Sequence, residues 1–277
     1  MNNSPISSTI TTLSQANNRQ EEVWKKIVSE AQAASQAQPL LASFFHSNVL
    51  NHQSFQESIS FYLASLLGSK TIPAMTVQSV FEQAIKHQPM LAEQMLNDLL
   101  AHYTRDAACD QYVIPLLYFK GFHAIQSYRI AHWLWQQQRR PLAQYFQNRI
   151  SELFDVDIHP AARLGSGIML DHATGLVIGE TSIIEDDVSI LHGVTLGGSG
   201  AARCDRHPKV RRGVLLSAGA KILGNIEIGE SAKVGAGSVV LEDVAAHTTV
   251  AGVPAKQVGR ASTAMPSLEM DHNIESD

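Results

Sequence analysis

The sequence predicts a chain in two segregated parts, an N-terminal α-helical domain followed by a parallel β-helix. Three observations carry that division. From about Glu21 to Phe154 apolar residues fall at helical spacing, and all three Trp lie there. From Ile158 to about Ala246 aliphatic residues return every sixth position. Many of these are followed by Gly or another small residue, as in LGSGIM, IGETSI and VGAGSV.

Taken in order, residues 1–19 are rich in Ser, Thr, Asn and Gln with few apolar positions, and disorder is expected there. Residues 20–155 form the helical domain, which also supplies an oligomerisation surface. Leu96, Leu99 and Leu100 share one helix face, as do Ile130, Trp133 and Leu134. Pro73, Pro89 and Pro115 mark helix junctions, and Pro141 starts a new helix in its first turn. Residues 156–260 form the β-helix. Its aliphatic positions run in three phases: Ile158, Leu164, Leu170; then Ile178, Ile184, Ile190, Leu196; then Val210, Leu216, Ile222, Ile228, Val234, Val240. A six-residue period suits neither a helix nor a simple alternating strand. It suits hexapeptides that each form one face of a coil, three to a turn, whose apolar side chains are buried only by stacking. Residues 261–277 form a short acidic tail, expected to be mobile.

Composition narrows the function. The chain has 277 residues and a net charge of −5, which gives no electrostatic case for nucleic acid or an anionic membrane. No apolar run approaches the ~18 residues of a membrane span. The first residues lack the layout of a signal peptide, and Cys109 and Cys204 make no disulfide framework. A cytoplasmic address follows by default.

A β-helix is a scaffold, and chemistry belongs where the repeat breaks. There are two breaks. Eight residues replace six between Leu170 and Ile178, in LDHATGLV, and the segment GGSGAARCDRHPK is thrown out between Leu196 and Val210. Each carries a His beside charged groups, Asp171-His172 and Asp205-Arg206-His207.

These breaks also carry a resemblance. The runs VDIHPAARLGSGIMLDHATGLVIGE, VTLGG, DRHPKV, GAKILGN and VGAGSVVLEDVAAHTTVAGVPAK, with TRD at Thr104–Asp106 and PLLYFKGFHAIQSYRIAHWLW upstream, resemble the serine acetyltransferase family over roughly residues 20–262. The resemblance implies a left-handed β-helix. It implies transfer of acetyl from acetyl-CoA to L-serine, giving O-acetyl-L-serine on the way to L-cysteine, with no metal. It implies a homotrimer with active sites between subunits, or a dimer of trimers joined through the helical domains, and L-cysteine as an inhibitor. Many members dock a terminal Ile into a sulfhydrylase. This sequence ends Asn273-Ile274-Glu275-Ser276-Asp277, so a tight complex of that type is not expected.

A serine hydroxyl is a poor nucleophile near neutral pH and needs a base. His172 is expected to be that base. The resemblance places the orienting carboxylate on Asp157, close to one eighteen-residue coil before it. It places Asp106 and Asp171 on the substrate ammonium. Arg206 offers a planar fork to the carboxylate, with His207 beside it as a further contact. The amides of Gly197 and Gly198 are candidates for the oxyanion. Gly198, Ala218, Lys233, Ala236 and Lys256 are expected along the CoA path. His159 reads as structural, and His192 fits either the cleft or solvent. Two other classes compete. A zinc lyase of the carbonic anhydrase type requires His five apart, a spacing this sequence lacks; a non-catalytic scaffold predicts no dependence on His172. Within the enzymes, acetyl transfer to a sugar is the alternative.

Overall fold

The computed structural model describes residues 5–200, 204–261 and 263–273, with side chains from residue 18 onward. Its helical part runs α1 (Pro5–Ala37), α2 (Ala42–Phe45), α3 (Phe55–Leu67), α4 (Ala74–His87), α5 (Met90–Arg105), α6 (Val113–Tyr118), α7 (Lys120–Gln136) and α8 (Arg140–Phe154). Most of the segment 1–19, expected to be disordered, lies outside the residues described with side chains; the backbone of α1 starts at Pro5.

The helix boundaries follow local chemistry. Ser54 caps α3 by accepting from the amide of Glu57 at 3.2 Å, and Glu57 returns its carboxylate to the amide of Gln53 at 2.8 Å. Pro73 and Pro89 precede α4 and α5, and Pro141 lies in the first turn of α8. Asp155, in the left-handed region at φ 57°, ends α8. The central helix is α7, buried continuously from Gly121 to Ala131. Its Arg129 donates to Asp98 of α5 at 2.7 and 2.9 Å and to the carbonyl of Gly165 at 2.7 Å. Asp98 in turn accepts from the amide of Ile168 at 2.9 Å. Two helices and the first coil of the β-helix are thus fixed to one buried carboxylate.

The β-helix comprises three parallel sheets. The first holds β1 (Val156–Ile158), β4 (Leu176–Ile178), β7 (Thr195–Gly197), β10 (Lys221–Leu223) and β13 (Val239–Val240). The second holds β2 (Arg163–Leu164), β5 (Ile183–Ile184), β8 (Lys209–Val210) and β11 (Glu227–Ile228). The third holds β3 (Met169–Leu170), β6 (Ser189–Ile190), β9 (Leu215–Leu216), β12 (Lys233–Val234) and β14 (Thr248–Gly252), closed by the antiparallel β15 (Ala255–Arg260). The aliphatic residues at six-residue spacing stack in three columns. Ile158, Ile178, Leu196, Ile222 and Val240 pair in succession on the first sheet. Leu164, Ile184, Val210 and Ile228 pair on the second. Leu170, Ile190, Leu216, Val234 and Val250 pair on the third. All are buried, and each contributes on the order of 1.5–3 kcal/mol by leaving water.

Register locates the breaks. Val156 pairs with Leu176, twenty residues on, Leu196 with Ile222, twenty-six on, and Ile222 with Val240, eighteen on. The extra residues are expelled at corners, the first between the third and first sheets, the second between the first and second.

Part of the tail, expected to be mobile, is described. A short helix, α9 (Pro266–Glu269), rests against α5, and Ser267 is fully buried. Ile274–Asp277, the residues that bear on the sulfhydrylase expectation, lie outside the described residues.

Candidate active site

The first break forms a tight turn in which His172 and Ala173 take the left-handed region, at φ 54° and 56°. The turn is fixed on both sides: the amide of Asp171 donates to Ile190 at 2.9 Å, and the amide of Gly193 to Thr174 at 2.7 Å. The start of α7 lies directly over it. A Cβ on Gly121 would sit 2.0 Å from the carbonyl oxygen of Leu170, so only glycine allows the helix this close. Lys120 reaches down to the hydroxyl of Thr174.

A cleft of ≈ 220 Å³ opens between these elements, lined by Asp106, Lys120, Asp171 and His172 among others. Asp106 caps the C-terminus of α5. The Nε2 of His172 lies 3.7 Å from Oδ1 of Asp171, and its side chain is 77% exposed. Burial raises the Asp171 carboxyl above its ordinary range; His172 opposes this, and nearby Asp106 reinforces it. His192, one coil along, sets its ring edge-on to His172 with centroids 6.1 Å apart. His102 closes the floor between Phe119 and Phe122, its burial holding it neutral with a pKa of about 3.

The same corner continues past Ala218 and Ala236. Gly219 donates to the carbonyl of His192 at 2.9 Å, and Gly237 to that of Ala218 at 2.8 Å. The residues at this corner are small. Lys233 is not exposed beside them. It is buried, and its ammonium donates to the carbonyls of Asp271 (3.1 Å) and Asn273 in the tail. Lys233, expected along the CoA path, is thus engaged by the tail. Lys256 is exposed, 3.9 Å from Glu242.

The second break forms a separate constellation. Arg206 pairs with Glu180 at 2.6 Å. The hydroxyl oxygen of Thr181 accepts from the amides of Arg206 and His207, both at 3.0 Å. The amide of Thr181 lies 3.1 Å from Nδ1 of His207, so Nδ1 accepts and Nε2 carries the proton. Burial lowers the His207 pKa, and Arg206 lowers it further. Gly198 lies beside the Arg206 side chain.

Asp157 is not beside His172 within one chain. Its neighbour in the next coil is Val177, because the inserted residues lengthen that coil to twenty. Its carboxylate accepts from Gln147 of α8 at 2.7 Å. It shares the electrostatic surroundings of His159 with Glu180 and Arg206, on the side of the second break. One chain therefore carries two separate clusters, toward opposite ends of the strands of the first sheet. One holds Asp106, Asp171 and His172; the other holds Asp157, Arg206 and His207.

A family model described as serine acetyltransferase, N-terminal, matches residues 23–127. The serine acetyltransferase of Salmonella typhimurium is 54% identical over 254 residues, covering 92% of this chain and 93% of that protein. The chain belongs to the serine acetyltransferase family. Solved serine acetyltransferases share the architecture. One in complex with cysteine superposes with a TM-score of 0.90 at 52% identity, covering 92% of this chain and 99% of that one. One from Brucella abortus in complex with coenzyme A gives 0.86 at 48%, covering 88% and 97%. As a serine acetyltransferase the chain is an acyltransferase enzyme, built as a helical region followed by a β-helix.

Sequence reasoning overlooked Glu180, Thr181, His102 and Lys120 as parts of these constellations. Glu180 and Thr181 had a signal, since IGET places two polar residues after a column position. His102 and Lys120 reach the cleft only through helix packing, which leaves no trace in spacing.

Proposed function

We propose that this serine acetyltransferase moves the acetyl group of acetyl-CoA to the hydroxyl of L-serine, giving O-acetyl-L-serine and CoA, at sites shared between subunits of a trimer. The observation that supports this is the shared cleft of Asp106, Asp171 and His172. His172 takes the hydroxyl proton as serine oxygen attacks the thioester carbonyl. The tetrahedral intermediate collapses, the C–S bond breaks, and the imidazolium returns the proton to the CoA sulfur. Asp106 and Asp171 hold the ammonium. Arg206, with His207, comes from a neighbouring subunit and takes the carboxylate in its fork. Asp157 of that neighbour reaches His172 as the orienting carboxylate, and the amides of Gly197 and Gly198 receive the oxyanion.

CoA lies along the corner past Ala218 and Ala236, with Lys256 toward its phosphates. The coenzyme A complex of the Brucella abortus relative supports that donor. L-cysteine carries the same ammonium and carboxylate as serine and competes for the site, as the cysteine complex of a relative suggests. The helical domains join two trimers, presenting exposed Leu40, Met75 and Met90. The address is the cytoplasm; no described helix is long and apolar enough to cross a membrane.

Complementation tests the shared site. His172→Ala and Arg206→Ala proteins, each inactive alone, are unfolded together in equal amounts and reassembled. Random trimers regain about a quarter of wild-type activity, because one interface in four unites an intact His172 with an intact Arg206. No recovery in mixed assemblies overturns the reading.

A further inference from the structure

Arg105, the last residue of α5, spends its guanidinium on the β-helix. Its side chain is 4% exposed. It donates to the hydroxyl of Ser189 at 3.1 Å and to the Asp187 carboxylate at 3.3 Å. Ser189 in turn donates to the carbonyl of Ser267 at 2.8 Å, and Ser267 to the carbonyl of Asp187. Asp187 also receives Arg212 at 2.9 Å.

The attachment point bears on the cleft. Ser189 pairs with Met169 and Ile190 with Leu170, so β6 is the strand beside the one that delivers Asp171. Asp171 itself donates its amide to Ile190. Asp106, the residue after Arg105, is therefore tied to the same pair of strands that carries Asp171 and His172. Beyond Arg105 the chain turns at once, with the Asp106 carboxylate accepting from the amide of Ala108 at 2.8 Å.

Stability alone is a poor reason for this arginine. A buried ion pair seldom outperforms an apolar residue of similar size, and Nε of Arg105 is buried with no hydrogen-bond partner. We infer that Arg105 is a positioning residue, which through Ser189 and Asp187 sets the distance of Asp106 from Asp171 and His172 and so governs serine binding. The inference rests on the proposed place of Asp106 in the serine site.

Steady-state kinetics of the full chain, with both substrates varied, test it. Arg105→Ala should raise the serine KM about tenfold, a size typical of groups acting through one network. The acetyl-CoA KM and kcat should stay within about twofold, and Arg105→Lys should recover part of the loss. Ser189→Ala, which leaves the guanidinium in place, should give the same split at smaller size and serves if Arg105→Ala does not fold. In an Asp106→Asn background the Arg105 penalty should fall below about twofold. Both KM values rising together, or an undiminished penalty in that background, overturns the positioning role. If Asp106→Asn alone raises the serine KM and the Arg105 and Ser189 variants do not, the positioning role fails and the proposed site stands. An Asp106→Asn protein with an unchanged serine KM removes the site assignment and this inference together.

Discussion

Gly179 lies beneath the ring of His207, so close that a Cβ there would sit 2.0 Å from Cδ2. The ring is held from its other edge by Thr181, whose hydroxyl also fixes the amides of Arg206 and His207. The direction in which Arg206 leaves the loop therefore depends on a missing methyl group.

Gly179→Ala should displace His207 and swing Arg206 with it. Overpacking of this kind costs about 1–3 kcal/mol of stability. Urea titration should show that loss, and the serine KM should rise while the acetyl-CoA KM holds.

His172→Ala should lower turnover by about 10²–10⁴, the range for loss of a general base. Release of CoA thiol, followed with a chromogenic disulfide, measures it. Near-normal turnover would assign the base elsewhere.

Arg206→Lys keeps the charge and loses the fork, so the serine KM should rise far more than that for acetyl-CoA. Glu180→Gln should produce a milder form of the same defect, because Glu180 holds the guanidinium at 2.6 Å. A shift confined to acetyl-CoA would reassign the arginine to the donor.

Stability should fall as pH drops below about 6.5, the ordinary histidine value. Burial depresses His102 to about 3 and His123 to about 4 in the folded chain. The unfolded chain therefore binds more protons throughout that window. Stability from both groups is complete above about 6.5 and is lost toward their folded values, at about 2 kcal/mol each by pH 5. His102→Leu, with Phe119 and Phe122 as neighbours, should flatten the pH dependence of the urea midpoint. An unchanged slope would show that His102 does not titrate on unfolding.

The columns of the β-helix were legible because stacking requires an apolar side chain at every sixth position, and each of the thirteen named residues from Ile158 to Val240 is buried. Both breaks were legible as departures from that period. The relation of Asp157 to His172 was not. A spacing near one coil suggests adjacency, whereas the inserted corner sets Asp157 opposite Val177. The burial of Lys233 was not legible either, because its surroundings come from the tail, forty residues on at Asn273. Packing between distant segments, such as Gly121 on Leu170, leaves only a glycine as its mark, and glycine has many other uses.

The coil lengths of twenty and twenty-six, beside the regular eighteen, bear on how such a molecule can diversify. Residues added at a corner leave every column in register, so a corner loop can be lengthened, shortened or exchanged between relatives without recasting the interior. One residue added within a straight run would turn the following aliphatic side chains outward. Heritable novelty in this architecture is therefore channelled to its edges, where the proposed site lies. A grafted loop between Gly198 and Pro208 should alter the choice of acceptor in a protein that still folds.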